Sequence, residues 1–202
     1  MLVLAALAVV AAMAVAGVGT ASATVLCKTN TAPCGEKYVA GTEIKASLAS
    51  GTSNKFSSGT GEIVYTCSGG SLAGKIEAAG SSTETVRASI PASSLTWSGC
   101  VWPMTTLKGG EMEIHWISGS ANGTVTAKGI ELRVDTTGFG TCTYSSGANA
   151  VHMGVLTGGA APTLDVWLWL GLVGGGVPCR STVIWNSTYT VTSPTPLYVR
   201  ES

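Results

Sequence analysis

Charge is what this chain has least of. Of 202 residues, 11 are Lys or Arg and 11 are Asp or Glu, so the formal net charge is zero. No Lys/Arg run occurs. The electrostatic attraction that drives nucleic acid binding is therefore missing, and no nucleic acid partner is expected. A strongly charged substrate is not advertised either. Catalytic signatures are also absent: there is no GxSxG elbow, no HExxH and no phosphate loop. No CxxC occurs, and neither His115 nor His152 lies near a cysteine pair at zinc-finger spacing. No metal and no cofactor are expected on that basis. Beyond residue 23, sustained helical periodicity is missing too.

The first 23 residues are apolar, free of charge and end in Ala21-Ser22-Ala23. The small-x-small tail fits a signal peptidase site, with cleavage before Thr24. The basic n-region is lacking. A retained membrane anchor is the rival reading, because the run approaches the ~20 residues of a span. Leu26 precedes Cys27 where a lipobox has a small residue, which argues against a lipid anchor. Residues 1–23 are thus read as a signal peptide and 24–202 as a single domain. Export places the protein outside the cell or in the envelope, with no lasting membrane association expected after signal removal.

All six cysteines follow that site: Cys27, Cys34, Cys67, Cys100, Cys142 and Cys179. An even count in an exported chain reads as three disulfides. Six cysteines allow 15 pairings, so connectivity stays open. Sequential order suggests Cys27–Cys34, Cys67–Cys100 and Cys142–Cys179.

Short alternating segments bounded by Gly, Ser, Thr and Asn recur throughout, the pattern of strands and turns. Ile44, Ala46 and Leu48 share one side of "GTEIKASLASG", and Ile63, Tyr65 and Cys67 one side of "GEIVYTCSGG". Met112, Ile114 and Trp116 face inward, with Glu113 and His115 outward. Asn122-Gly123 reads as a hairpin turn. Ile130, Leu132 and Val134 alternate with Glu131, Arg133 and Asp135. Thr182–Asn186 and Thr188–Thr192 read as two more strands. Leu197–Arg200 follows Pro194 and Pro196, so it belongs at an edge. The polar stretch from Ser50 to Gly61 reads as a loop. The expected fold is all-β, an antiparallel sandwich or barrel braced by disulfides. A cysteine-to-cysteine echo between residues 67–100 and 142–179 fits either duplication or chance.

In the run "DVWLWLGLVGGGVPC", Val166 to Val177 carry no charged or hydrogen-bonding side chain except the two indoles. These twelve residues are too few for a transmembrane helix. A membrane barrel needs lipid-facing rows on many strands, and the other strands carry charge. One reading buries both faces, with Val166, Leu168 and Leu170 on one and Trp167 and Trp169 on the other. The second leaves the two indoles exposed as a flat stacking platform, since i and i+2 share a face.

At "YTCSGGSLAG", "TWSGC", "TCTYSS" and "WNSTYTVTSPTPLYV" the chain resembles an uncharacterised family of exported actinobacterial all-β proteins with disulfides. The resemblance spans most of residues 24–202. It implies export and an all-β fold, and brings no activity and no catalytic residues.

The expected function is a secreted or envelope binding or structural module without catalysis. Of the six tryptophans, Trp102, Trp167 and Trp169 are the expected contact residues, and a cell-envelope glycan or protein the expected partner. One alternative is a small-ligand carrier with a cleft between sheets, as in the antibiotic-binding apoproteins of secreted sandwich type. Another is a hydrolase using Glu113 with His115, or Asp135 with Glu131. A solvated strand face explains the first pair, and an ion-pair ladder through Arg133 the second. The Asn122 and Asn186 glycosylation patterns carry no weight given the bacterial origin that the resemblance implies.

Overall fold

The computed structural model describes residues 23–202. The segment 1–22, which holds most of the expected signal peptide, lies outside the described residues. The fold is all-β and closed: eight antiparallel strands form a barrel, with additional strands attached. Among the described residues there is no α-helix, only a 3-10 turn at Ala92–Ser94. Of the two expected architectures, the barrel is the one that forms.

The barrel is a meander in which most strands are broken halfway. β2 (Glu43–Leu48) and β3 (Asn54–Ser58) lie end to end between β4 (Ile63–Ala79) and β14 (Thr182–Ser193). The other side of β4 pairs with β5 (Val86–Ser89) and then β6 (Leu95–Cys100). β7 (Met104–Lys108) and β8 (Glu111–Trp116) follow, then β9 (Gly123–Lys128) and β10 (Glu131–Asp135). β8 pairs with β5 and β9, and β7 with β10. β11 (Thr141–Ser145) and β12 (Val151–Thr157) together line one side of β13 (Thr163–Gly174). They pair with β10 and β9 on their other side. β13 pairs with β14 over nine residues, and β14 returns to β2 and β3, closing the ring. Closure removes the exposed edges that would otherwise recruit another chain.

Alternation fills the interior. Ile130, Leu132 and Val134 are essentially inaccessible, as are Leu168, Leu170, Val183 and Trp185. Trp185 stacks on Phe56 at 6.2 Å and meets Trp97 and Tyr189 edge-on at 5.0 and 6.0 Å. Such aromatic pairs contribute roughly 0.5–1.5 kcal/mol each beyond their buried area. The centre of the barrel is therefore packed around this aromatic cluster.

One end of the barrel is covered. β1 (Thr24–Cys27) and β15 (Tyr198–Glu201) form a two-stranded ribbon whose Val25, Leu26 and Val199 are fully buried. Trp116 N donates to Thr24 Oγ1 and Val199 N to the Ala121 carbonyl, tying the ribbon to β8 and its turn. The expected cleavage point thus falls at the first residue of β1. The three disulfides are Cys27–Cys34, Cys67–Cys100 and Cys142–Cys179. The first braces the ribbon, and the other two brace the opposite end.

Several local expectations are corrected. Residues 50–61 are not all loop, because β3 occupies Asn54–Ser58. Only Phe56 in that stretch is apolar; Asn54 faces inward because buried hydrogen bonds satisfy it. Ile63 does not join Tyr65 inside: a register shift between Phe56 and Ser57 turns it outward, where it is exposed. Thr182–Asn186 and Thr188–Thr192 are one strand, β14, not two. The β8–β9 hairpin exists, but Asn122-Gly123 is not its two-residue turn. Gly119 takes the positive φ, and Gly123 sits in β9, where a Cβ would lie 2.9 Å from Ile114 Cγ2 and 3.0 Å from the His115 carbonyl. The cysteine echo is not a repeat of topology: the long strand, β4 or β13, comes first in one half and last in the other.

Candidate functional site

β13 places its even residues inward and its odd residues outward. Trp167 and Trp169 are 49% and 46% exposed, so the reading with both faces buried fails. The barrel has an inside and an outside, and among the described residues nothing buries the two indoles on the outer face of β13. The exposed reading stands, with one change. The two rings meet at 70° with centroids 6.3 Å apart, so they form an angled pair rather than a flat platform.

Register builds a site around this pair. Trp167 lies opposite Asn186 on β14, and Asn186 opposite Lys55 on β3. Two residue pairs further along, on the same outer face, Asp165 Oδ1 accepts a 2.7 Å hydrogen bond from Thr188 Oγ1. The segment between β2 and β3 swells out of the wall and brings Thr52 and Ser53 up beside these groups. Together they border a polar cleft of about 580 Å³. Trp167 is the register partner of Asn186, one of the residues that border it. Inside the cleft Asp165 offers acceptors, Lys55 a cation with three donors, and Asn186 one acceptor and two donors. The Lys55 ammonium and the Asn186 amide have no hydrogen-bond partner among the described residues. Trp169 covers Ile184, its neighbour on β14, which is 8% exposed.

Trp102 is not part of this cluster. It sits in the β6–β7 turn at the open end of the barrel, half-buried. The structure thus brings Trp167 and Trp169 together and leaves Trp102 apart. Trp97 and Trp116 are half-buried, with their indole N–H groups donating to Thr106 Oγ1 and the Ser120 carbonyl. Trp185 is core. Lys55 and Asn186 were missed as contact residues. Asn186 drew notice only as a glycosylation pattern, and nothing local shows that it aligns with Trp167.

The carboxylate pairs lie elsewhere. Glu113 Oε2 and His115 Nε2 are 3.7 Å apart on the convex outer wall at β8, each about a third exposed. Glu131 pairs with Lys108 on β7 at 2.7 Å, not with Arg133. Asp135 is exposed. His152 is exposed on the outer side of β12. Among the described residues, no group of three or more His, Cys, Asp or Glu side chains is placed to hold a metal ion. No helix among them is long and apolar enough to cross a membrane.

No protein-family model, no curated protein and no solved structure matches this chain. What the site does must follow from its geometry.

Proposed function

We propose that the protein is an exported carbohydrate-binding module whose contact surface is the outer face of β13, β14 and β3. The observation that carries this reading is the exposed Trp167 beside a cleft edged with unengaged polar side chains. A sugar ring has an apolar C–H face that stacks on an indole and a rim of hydroxyls that both donate and accept. The outer face offers both kinds of contact side by side: Trp167 lies opposite Asn186, and the Asp165–Thr188 pair follows two register positions along. Three disulfides fit an oxidising compartment outside the cytosol, where envelope glycans are the abundant polymer. Lys45, Lys75, Glu77, Arg87 and Glu111 are exposed on other strands, which speaks against a lipid-facing belt.

The test is titration of the folded protein with soluble cell-wall glycan fragments, read by tryptophan fluorescence and calorimetry. Saturable binding that falls at least tenfold in Trp167→Ala, about 1.4 kcal/mol, supports the reading. Absence of binding across a broad glycan array would dismiss it.

A further inference from the structure

The barrel has one covered end and one open end. Four turns surround the open end: 59–62, 101–103, 136–140 and 175–181. The last three border an open cavity of about 910 Å³, lined also by Leu172, Val64 and Tyr65, to which they contribute Trp102, Phe139 and Val177. Phe139 and Val177 are 69% and 96% exposed. Holding large apolar groups in water costs free energy unless something covers them. Cavities of roughly 300–1,000 Å³ suit a single small ligand, and the mouth of a barrel is a usual place for one. Two of the three disulfides brace this same end, Cys67–Cys100 between β4 and β6 and Cys142–Cys179 between β11 and the last turn. Such bracing keeps the turns in place before a ligand arrives.

The cavity is not uniformly apolar. The Tyr65 and Tyr144 hydroxyls meet at 3.0 Å at its base. Arg180 lies on its wall. Its Nη2 pairs with Glu62 Oε2 at 2.6 Å on the exposed side. A guanidinium carries five N–H donors, so this pair leaves others unspent.

We propose that the barrel mouth is a second binding site, for an amphipathic carboxylic acid whose apolar body rests on Trp102, Phe139 and Val177 and whose carboxylate reaches Arg180. This site is independent of the outer-face cleft and shares no residue with it.

The experiment uses 1-aminoanthracene as a fluorescent apolar probe and decanoate and decanol as competitors, with the intact disulfide-bonded protein. The probe binds saturably at one site. Decanoate displaces it at concentrations at least tenfold lower than decanol does. Val177→Asp weakens the probe at least tenfold with an unchanged melting temperature, because that side chain is almost fully exposed. Arg180→Gln removes the preference for decanoate over decanol. Trp167→Ala changes none of these. No saturable probe binding, no effect of Val177→Asp, or equal displacement by decanoate and decanol would each overturn the proposal. Because Trp167→Ala tests the other face, failure at one site is separable from failure at the other.

Discussion

The Asn54 side-chain oxygen accepts a 2.6 Å hydrogen bond from the Tyr189 hydroxyl inside the barrel. The same oxygen accepts from Ser187 Oγ at 2.6 Å and from Trp185 Nε1 at 3.2 Å, while Asn54 Nδ2 donates to the Gly69 carbonyl at 3.3 Å. All of these residues but Gly69 are nearly or wholly buried. A single amide therefore organises the point where β2 ends and β3 begins. Replacing it by Leu strands several buried donors at once, at a cost of about 1–3 kcal/mol for each group left unpaired. Asn54→Leu is expected to lose about 3 kcal/mol or more in urea unfolding, and Tyr189→Phe about 1 kcal/mol. A near-neutral Asn54→Leu would mean that the knot contributes little.

Gly70 of β4 makes room for that knot. A Cβ there would lie 2.8 Å from the Thr96 carbonyl and 2.9 Å from Asn54 Nδ2. The first is backbone, and the second is fixed by the hydrogen bonds of the Asn54 amide. Gly70→Ala should lower stability by roughly 1–3 kcal/mol, as overpacking does. Thermal melts beside a Gly59→Ser control, at a surface turn with open space around it and no positive φ, separate crowding from a general effect of glycine loss.

Alkali should unfold the barrel through its buried phenols. Burial raises the Tyr189 and Tyr144 hydroxyls well above the ordinary value of 10.0, and for Tyr144 the bond to Tyr65 adds to the rise. Unfolded tyrosines ionise near that ordinary value while these two keep their protons. Their contribution to stability is thus complete below about pH 10 and declines as pH climbs further. Melting temperature measured from pH 8 to 12 should be flat and then drop, and the drop should be shallower in Tyr144→Phe. A profile identical in that variant would count against the assignment.

The disulfides should differ in worth. Cys67–Cys100 and Cys142–Cys179 close loops of 33 and 37 residues, and Cys27–Cys34 one of 7. Chain-entropy arguments give about 4 kcal/mol for each long loop and about 2 for the short one. Paired Cys→Ser variants compared by chemical denaturation test that order. Loss of more stability on removing Cys27–Cys34 than on removing either long-loop bridge would contradict it.

Acrylamide should quench mainly Trp167 and Trp169, since the other tryptophans are half-buried or buried. Trp167→Phe with Trp169→Phe should remove most of the quenchable fluorescence while circular dichroism stays unchanged. Quenching that persists in this double variant would place the accessible indoles elsewhere.

Alternation along β8 and β10 was readable because one row of each strand is apolar and the other charged. Met112 and Ile114 lie inside, and Glu113 and His115 outside, as that contrast requires. The order of cysteines likewise anticipated the bonds that form, because neighbours in a meander stay neighbours in space. β3 was illegible for the opposite reason. Asn54 and Ser58 are polar yet face inward, and the groups that satisfy Asn54 come from β14, more than a hundred residues away.

The amino-acid order thus settles that the chain makes short cross-linked strands with one wet and one dry row. Only closure of the ring decides the rest. On β13 both rows are apolar, so periodicity separates Trp167 from Leu168 without saying which points in. Once the sheet curls shut, the concave side has room for leucines packed against Trp185, and the convex side has none of that company to offer. The indoles are left facing water, beside an Asn from the next strand and a Lys from β3, far back in the chain.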